Sequence, residues 1–285
     1  MPVGARSLAL GGSHGTLPGT PEVLLVNPAA LAMLDTPAVV AAYHQGVEDI
    51  TYNGLLVATP VNSWLSFGAG VSTLSAGVIE AYDYTGKRFE RDLEEDRLFT
   101  GAAAAHWGSV GFGVSYKFLS SLLLGEFESN VSMLDLGAGV RFDLGPGREP
   151  WMGTSPDWLY LGFSVNSLGD SFQYDSPTGG ADPPPTQYRF GLSMAKTLRK
   201  RQQVLVAVAM DVPRSTARPE ARGGVEINWP VRPLEVKTRA GIRFRRDAGT
   251  LSAGLGVLIY GVNVDYAYLA ANEPFGATHH FSLGF

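Results

Sequence analysis

The feature that most constrains this chain is an alternation of apolar with small or polar residues at period two, recurring in about fourteen segments of roughly 8 to 13 residues. Successive residues of a strand point to opposite faces, so each such segment is a strand with one greasy side and one polar side. The clearest sets Val110, Phe112, Val114, Tyr116 and Phe118 against Gly111, Gly113, Ser115 and Lys117. Leu159, Leu161, Phe163 and Val165 follow the same rule, as do Tyr188, Phe190, Leu192 and Met194. The alternation runs to the last residue, where Phe281, Leu283 and Phe285 interleave with His280, Ser282 and Gly284. A soluble domain gains little from an apolar residue at a fraying end. A barrel in lipid gains much, because its last strand must pair with its first and its outward residues must be apolar.

The segments are read as 38–45, 51–60, 64–74, 97–107, 109–119, 131–143, 157–167, 187–197, 202–212, 220–230, 234–245, 250–260, 261–271 and 278–285. With the C-terminus on the periplasmic side, counting back sorts the connections by length. The short ones, 60–63, 108, 198–201, 231–233 and the passage from Tyr260 to Gly261, fall on the periplasmic side, with 144–156 a long exception. The longest, 75–96 and 168–186, fall outside. Short inside and long outside is the outer-membrane pattern. The expected fold class is all-β: a transmembrane antiparallel up-and-down β-barrel of about fourteen strands. A soluble propeller or two-sheet sandwich also needs repeated short strands, and it predicts a folded monomer in detergent-free buffer.

Composition agrees. Charged residues make up 17% of the chain and hydrophobic residues 45%, with 35 Gly; soluble domains carry about 25% charged residues. The absence of Cys removes disulfides, thiolate metal sites and Cys nucleophiles together. A net charge of -5 with no basic stripe argues against nucleic acid as a partner. No apolar run approaches the roughly 18 residues of a helical span. An exported barrel carries a leader, and Met1 to Arg6 has no apolar region, so the chain is read as the mature part.

Residues 1–37 have neither strand alternation nor a long helical period. They divide from the barrel, 38–285, as a compact irregular segment. Pro28 to Leu34 is expected to form one short helix, with Asn27 as its N-cap and Pro28 at its first position.

The opening Gly4-Ala5-Arg6-Ser7-Leu8-Ala9-Leu10-Gly11-Gly12, followed by Asn27-Pro28-Ala29-Ala30-Leu31, resembles the N-terminal hatch of FadL-like outer-membrane proteins, and within them the PorV/PorQ branch associated with type IX secretion. Leu161 to Gly169, Pro185 with Tyr188 to Leu192, Thr238 to Arg243 and Val264 to Tyr268 fit the same branch. The resemblance implies a fourteen-stranded barrel plugged by its N-terminal residues, with Asn27, Pro28 and Ala29 in the hatch. It implies one of two roles: an anchor or adaptor for other proteins at the cell surface, or passage of hydrophobic small molecules.

With the apolar alternates facing lipid, the lumen receives Lys117, Asp135, Arg141, Arg189, Asp211, Glu226, Lys237, Arg239, Arg243 and Asp265. Unpaired charge in a narrow lumen is costly, so these residues are expected to pair and fill the barrel rather than line a conduit. Arg189, Arg239 and Arg243 also offer donors for free carbonyls of the hatch. The Asn27-Pro28 turn is read as part of a static plug, the alternative being a turn that moves when a ligand arrives. His279 and His280 are adjacent on one strand, so they cannot share a metal without a bulge. Ser282 lies beside His280 with no acid at a compelling position, so no triad is read there. No enzyme activity, metal or cofactor is expected.

The charge run 87–97 is read as a solvated loop, with a partner or lipopolysaccharide-bridging cations as the alternative. The second long loop carries Phe172, Tyr174, Pro183, Pro184 and Pro185, a stiff aromatic-bearing segment suited to docking a protein or covering the barrel mouth. The leading expectation is therefore an outer-membrane anchor or adaptor for a secreted or surface-assembled complex. Its partners would be outer-membrane lipid, lipopolysaccharide and another protein chain. The alternative is passive transport of hydrophobic small molecules, with such a molecule as ligand.

Overall fold

In the computed structural model, which describes residues 4–46, 50–82, 85–145, 157–173, 180–198, 202–215, 218–245, 248–270 and 276–285, the alternating segments are strands. They are β1 (Ala38–Gln45), β2 (Thr51–Pro60), β3 (Leu65–Ser75), β4 (Val78–Tyr82), β5 (Arg88–Asp92), β6 (Glu94–Trp107), β7 (Val110–Leu123) and β8 (Phe127–Asp143). The rest are β9 (Trp158–Gly169), β10 (Gln187–Thr197), β11 (Gln203–Pro213), β12 (Glu220–Val231), β13 (Leu234–Arg245), β14 (Ala248–Ile259), β15 (Val262–Leu269) and β16 (Thr278–Gly284). All but β4 and β5 form one closed antiparallel barrel of fourteen strands, sealed where β1 pairs β16 with Tyr43 opposite Phe281 and His44 opposite His280. Closure satisfies every strand edge, the condition for a sheet to stand in hydrocarbon.

The apolar alternates face outward. Phe112, Tyr116, Phe163, Phe190, Val264 and Phe281 are exposed, whereas Ser115, Lys117, Ser164, Arg189, Asp265 and His280 are buried. An apolar exterior around a polar interior is the inverse of a soluble barrel, and it marks a wall immersed in lipid. Trp64, Trp107, Tyr260 and Phe285 stand exposed at the short-turn end, where aromatic rings suit the membrane-water boundary.

Two expectations change here. The charged run 87–97 is not a plain loop: Arg88–Asp92 pairs with Val78–Tyr82. That hairpin prolongs the β3-β6 ladder through Ala76 N–H to Glu94 O and Leu93 N–H to Gly77 O, each 2.9 Å. Arg88, opposite Tyr82, reaches both Glu80 across the hairpin and Glu90 on its own strand. In addition, β6, β7 and β8 outrun the expected membrane length at 14, 14 and 17 residues. Their upper ends present Arg97, Glu128 and Asn130 outward, so this side of the barrel rises above the apolar belt.

Inside the ring lies the N-terminal segment. Its short helix α1 (Ala5–Ala9) packs on β13, β14, β15 and β16. A 3-10 turn at His14–Thr16 packs on β9, β10 and β11, one at Pro21–Leu25 on β1, β2, β3 and β6, and one at Pro28–Met33 on β3, β6, β7, β8 and β9. Contact with the whole circumference places the segment in the lumen. The helix stops because Gly11 and Gly12 take positive φ of 69° and 82° and fold back. Gly12 N–H reaches Ser7 O at 2.9 Å and Gly11 N–H reaches Leu8 O at 3.0 Å, a glycine cap that closes the last carbonyls.

Pro28 does open a helical turn, but it is a 3-10 turn ending at Met33, and the Asn27 side chain does not cap it. Packing against β3, β6, β7, β8 and β9 holds this tighter turn. Leu10, Leu17, Val23, Leu24 and Leu31 of this segment meet Leu56, Leu98, Tyr160 and Leu205 of the wall in the buried core.

Candidate functional site

Fitting a backbone inside a fourteen-stranded wall requires wall positions without side chains, and glycine supplies them. A Cβ on Gly224 would lie 2.6 Å from Leu10 Cα, and one on Gly162 2.6 Å from Asn27 Nδ2. Cβ atoms on Gly113, Gly137, Gly191, Gly241 and Gly254 would collide with Pro28, Asn27, Thr16, Gly11 and Ala9 in turn. The lumen-facing glycines of strand after strand therefore form a belt that admits the segment.

The free carbonyls of the segment are taken up by wall side chains. Lys117 Nζ donates to Leu25 O at 2.7 Å, Ser164 Oγ and Asn166 Nδ2 both donate to Val26 O at 2.7 Å, and Ser252 Oγ donates to Ala9 O at 3.0 Å. Arg222 Nη1 donates to Gly12 O at 3.3 Å, and Ser193 Oγ donates to Thr16 O. Asn27 turns back on its own segment, donating to Gly15 O at 3.2 Å and to Tyr160 Oη at 3.4 Å. Pro28 and Ala29 lie against Gly113 and Gly137.

The expected donors Arg189, Arg239 and Arg243 are not the ones holding carbonyls. Their hydrogen bonds go to carboxylates, since a charge-assisted bond outcompetes one to a neutral oxygen. Arg239 bridges Glu226 at 2.6 Å and Asp265 at 2.7 Å. Arg6 of the segment joins the same Glu226 through Nε at 2.9 Å and Nη2 at 2.8 Å. Lys237 lies alongside and donates to Asn263 at 3.0 Å. In a second cluster Arg189 grips Asp211 with both nitrogens at 2.5 and 2.9 Å, Arg222 bridges Asp211 at 2.7 Å and Glu220 at 3.1 Å, and Arg243 holds Glu220 at 2.8 Å. Lys117 and Asp135 pair at 2.5 Å. Arg141 stands apart, pairing at 3.0 Å with the exposed Asp143 near the short turns.

Sequence reading missed Arg6, Glu220 and Arg222. Glu220 and Arg222 share the parity of Glu226, so strict alternation would have found them. Arg6 sits in a segment without periodicity and carries no such signal.

Above the segment, toward the long loops, a cavity of about 530 Å³ opens. Leu25, Val26, Leu98, Leu119, Met133 and Phe172 line it, with His14, Lys117, Arg189, Arg222 and Arg243. His14 is buried with neither ring nitrogen hydrogen-bonded, and Arg189 Nη1 and Arg222 Nε are likewise without partners. Burial, together with the neighbouring Arg189 and Arg222 charges, holds the His14 imidazole neutral well below its ordinary range. A separate cavity of about 450 Å³ lies at the short-turn end beside Met33, Asp35, His106 and Arg141.

The upper cavity borders an irregularity in the wall. Between Leu134 and Leu136 the β8-β9 register shifts, so that Asp135 faces both Asn166 and Ser167. Ser167 adopts φ of 58°, and its N–H donates to Asp135 Oδ1 at 2.8 Å. This β-bulge sits beside the Val26 carbonyl and the Lys117 ammonium.

The second long loop folds toward the mouth. Phe172 and Asp182 exchange backbone hydrogen bonds at 2.7 and 2.9 Å, and Phe172 and Pro185 line the cavity. Pro183 is exposed and Pro184 half-buried, while Tyr174 lies outside the described residues. His279 and His280 face opposite sides: His279 meets the Tyr266 hydroxyl at 2.8 Å, and His280 lies 2.5 Å from His44, Nδ1 to Nδ1.

No family model matches the chain, and no curated protein matches it in sequence. Solved structures match in fold. A FadL homologue of Pseudomonas aeruginosa covers 100% of this chain and 98% of its own, with TM-score 0.55 at 12% identity. The CymD monoaromatic hydrocarbon channel covers 99% and 96%, with TM-score 0.60 at 10% identity. The toluene transporter TodX of Pseudomonas putida covers 99% and 96%, with TM-score 0.55 at 13% identity. The chain thus has the FadL-like outer-membrane barrel fold.

Proposed function

We propose that this chain is an outer-membrane barrel through which small hydrophobic molecules pass, with residues 1–37 acting as a hatch that blocks direct flow. The observation that carries this reading is the cavity above the hatch. Its apolar wall, Leu25, Val26, Leu98, Leu119, Met133 and Phe172, suits a small apolar solute, and its volume of about 530 Å³ falls in the range of ligand pockets. Hydrocarbon channels and a toluene transporter share the fold, which adds weight without deciding the solute.

The solute enters from the long-loop, extracellular end and rests on the hatch. The wall beside it carries the β8-β9 bulge, where the ladder's register shifts next to the cavity. An anchor or adaptor for a secretion complex, of the PorV/PorQ kind, draws less support. The loop expected to dock a partner turns Phe172 and Pro185 into the cavity, as a lid does.

The test is uptake of a labelled monoaromatic hydrocarbon by cells carrying the barrel. Faster uptake than in cells without it, slowed several-fold when Leu119→Trp and Met133→Trp fill the cavity, is the expected result. Equal uptake with and without the barrel, together with a stoichiometric protein recovered alongside it from native membranes, would restore the anchor reading.

A further inference from the structure

On the outer wall, away from the lumen, the apolar belt carries a trough. It runs along β12, where Ala221 and Gly223 face outward between the larger rows of β11 and β13. Phe190, Val208, Met210 and Phe244 wall a hollow of about 560 Å³ over these two small residues. All four walls are exposed apolar side chains. Nothing in the wall forces the hollow to exist: a Cβ on Gly223 would meet only Ala207 O and Val208 Cγ1, each at 3.6 Å, which is ordinary contact. A larger side chain would fit there. Its absence leaves a groove between the apolar rows of β11 and β13.

The trough lies in the loop-end half of β12, close to Glu220, the strand's first residue. Directly above it is the β11-β12 connection, which carries Arg214 and Arg218, both exposed. Arg214 N–H donates to Thr186 O at 2.9 Å, tying the connection to the neighbouring loop, and Pro213 and Pro219 stiffen its two ends. An apolar groove lying below two exposed arginines of the loop-end connection has the chemistry of an anionic lipid site. Guanidinium groups suit phosphate, and an acyl chain gains van der Waals contact where it fills a groove in the wall.

We infer that this trough binds one acyl chain of a lipopolysaccharide molecule of the outer leaflet, with Arg214 and Arg218 on its phosphates. The extracellular end selects lipopolysaccharide over the glycerophospholipids of the inner leaflet. The inference rests on the outer-membrane placement but not on the transport reading, since no residue of the groove's outer wall borders the lumen cavity.

The experiment is native mass spectrometry of the full chain folded in detergent, titrated separately with lipid A and with phosphatidylglycerol. Lipid A should be retained about tenfold more tightly than phosphatidylglycerol. That preference should fall by about tenfold in Gly223→Leu, which fills the groove, and in the double variant Arg214→Glu/Arg218→Glu, which repels phosphate. Heat-modifiable gel mobility should report an intact barrel in both. If Gly223→Leu does not fold, Ala221→Leu fills the same groove and takes its place. Equal retention of the two lipids overturns the inference, as does lipid A binding unchanged in both variants. Recovery of a polypeptide or a small hydrocarbon on this face instead of lipid A also overturns it. Hydrocarbon uptake through the lumen should be unaffected by these variants, which separates failure here from failure of the transport reading.

Discussion

The two halves of the lumen wall hold the hatch by different physics. From β1 to β9 many inward residues are small or apolar, Leu56, Ala58, Gly68, Ala102, Ala104, Gly113 and Gly137 among them, and the buried charge there is the Lys117-Asp135 pair near the bulge. From β10 to β15 small residues alternate with most of the lumen's charge: Arg189, Asp211, Glu220, Arg222, Glu226, Arg239, Arg243 and Asp265. The hatch is divided to match. Its 3-10 turns at 21–25 and 28–33 bring Leu24, Ala29 and Leu31 to the first half, and α1 brings Arg6 to the second. Apolar packing tolerates sliding between near-equivalent contacts, whereas a bidentate ion pair fixes position and orientation. The charged half therefore registers the hatch, and the small-residue half seats it.

Breaking the charged half should have the largest effect. Arg239→Ala removes the cation that bridges Glu226 and Asp265, leaving Arg6 on Glu226 with Lys237 alongside, and should cost about 3–5 kcal/mol. The transition from folded to unfolded gel mobility should move to lower temperature, and the hatch should become accessible to protease. A hatch still fully protected would mean that packing alone holds it.

Next come the glycine positions, where both halves should respond alike because the obstacle is backbone. Gly113→Ala on the seating half and Gly224→Ala on the registering half each force the hatch from the wall, at a cost of about 1–3 kcal/mol. Thermal midpoints of the two variants compare the halves directly. A large cost on one side only would show that the hatch can yield on the other.

A pH effect should come from the registering half. The imidazole of His14 is held neutral below its ordinary value of 6.5, so the stability it contributes is complete above that value and declines as pH falls below it toward the depressed folded value. Burial pushes the Glu22 carboxyl in the opposite direction, up from 4.5, so its cost grows as pH rises above 4.5. Comparing melting of the wild type and His14→Gln between pH 7 and pH 5 isolates the first effect. The variant should lose less on acidification; parallel losses would remove His14 from the account.

The smallest effect should be that of Arg141→Ala. Its partner Asp143 is largely exposed, and the change should lie within about 0.5 kcal/mol. A loss comparable to that of Arg239→Ala would extend the charged cluster to the short-turn end.

The alternation located the barrel strands to within a few residues, because inward and outward faces are chosen locally by period two. It stopped short at the tops of β6, β7 and β8, and it passed over β4 and β5. There Val78, Glu80 and Tyr82 stand opposite Asp92, Glu90 and Arg88, so one face mixes apolar and charged side chains and the alternation does not mark a strand. In the hatch, Asn27 and Pro28 were visible as a motif, yet the destination of the Asn27 side chain was not. Capping rules describe a helix end in water, and this one lies against Tyr160 and the Gly15 carbonyl.

What the sequence by itself determined is the closed, lipid-facing barrel: side-chain parity, repeated over fourteen segments, is a local property that leaves few other folds. What only the tertiary structure decided is which lumen charges meet. Arg6 and Glu226 lie 220 positions apart, and parity can say that Glu226 points inward but not which cation, on which strand or hatch turn, arrives at its height. The same limit governs the cavity and the outer groove. Both arise where strands of particular stagger set small residues beside large ones, and stagger is a property of the closed ring, not of any one strand.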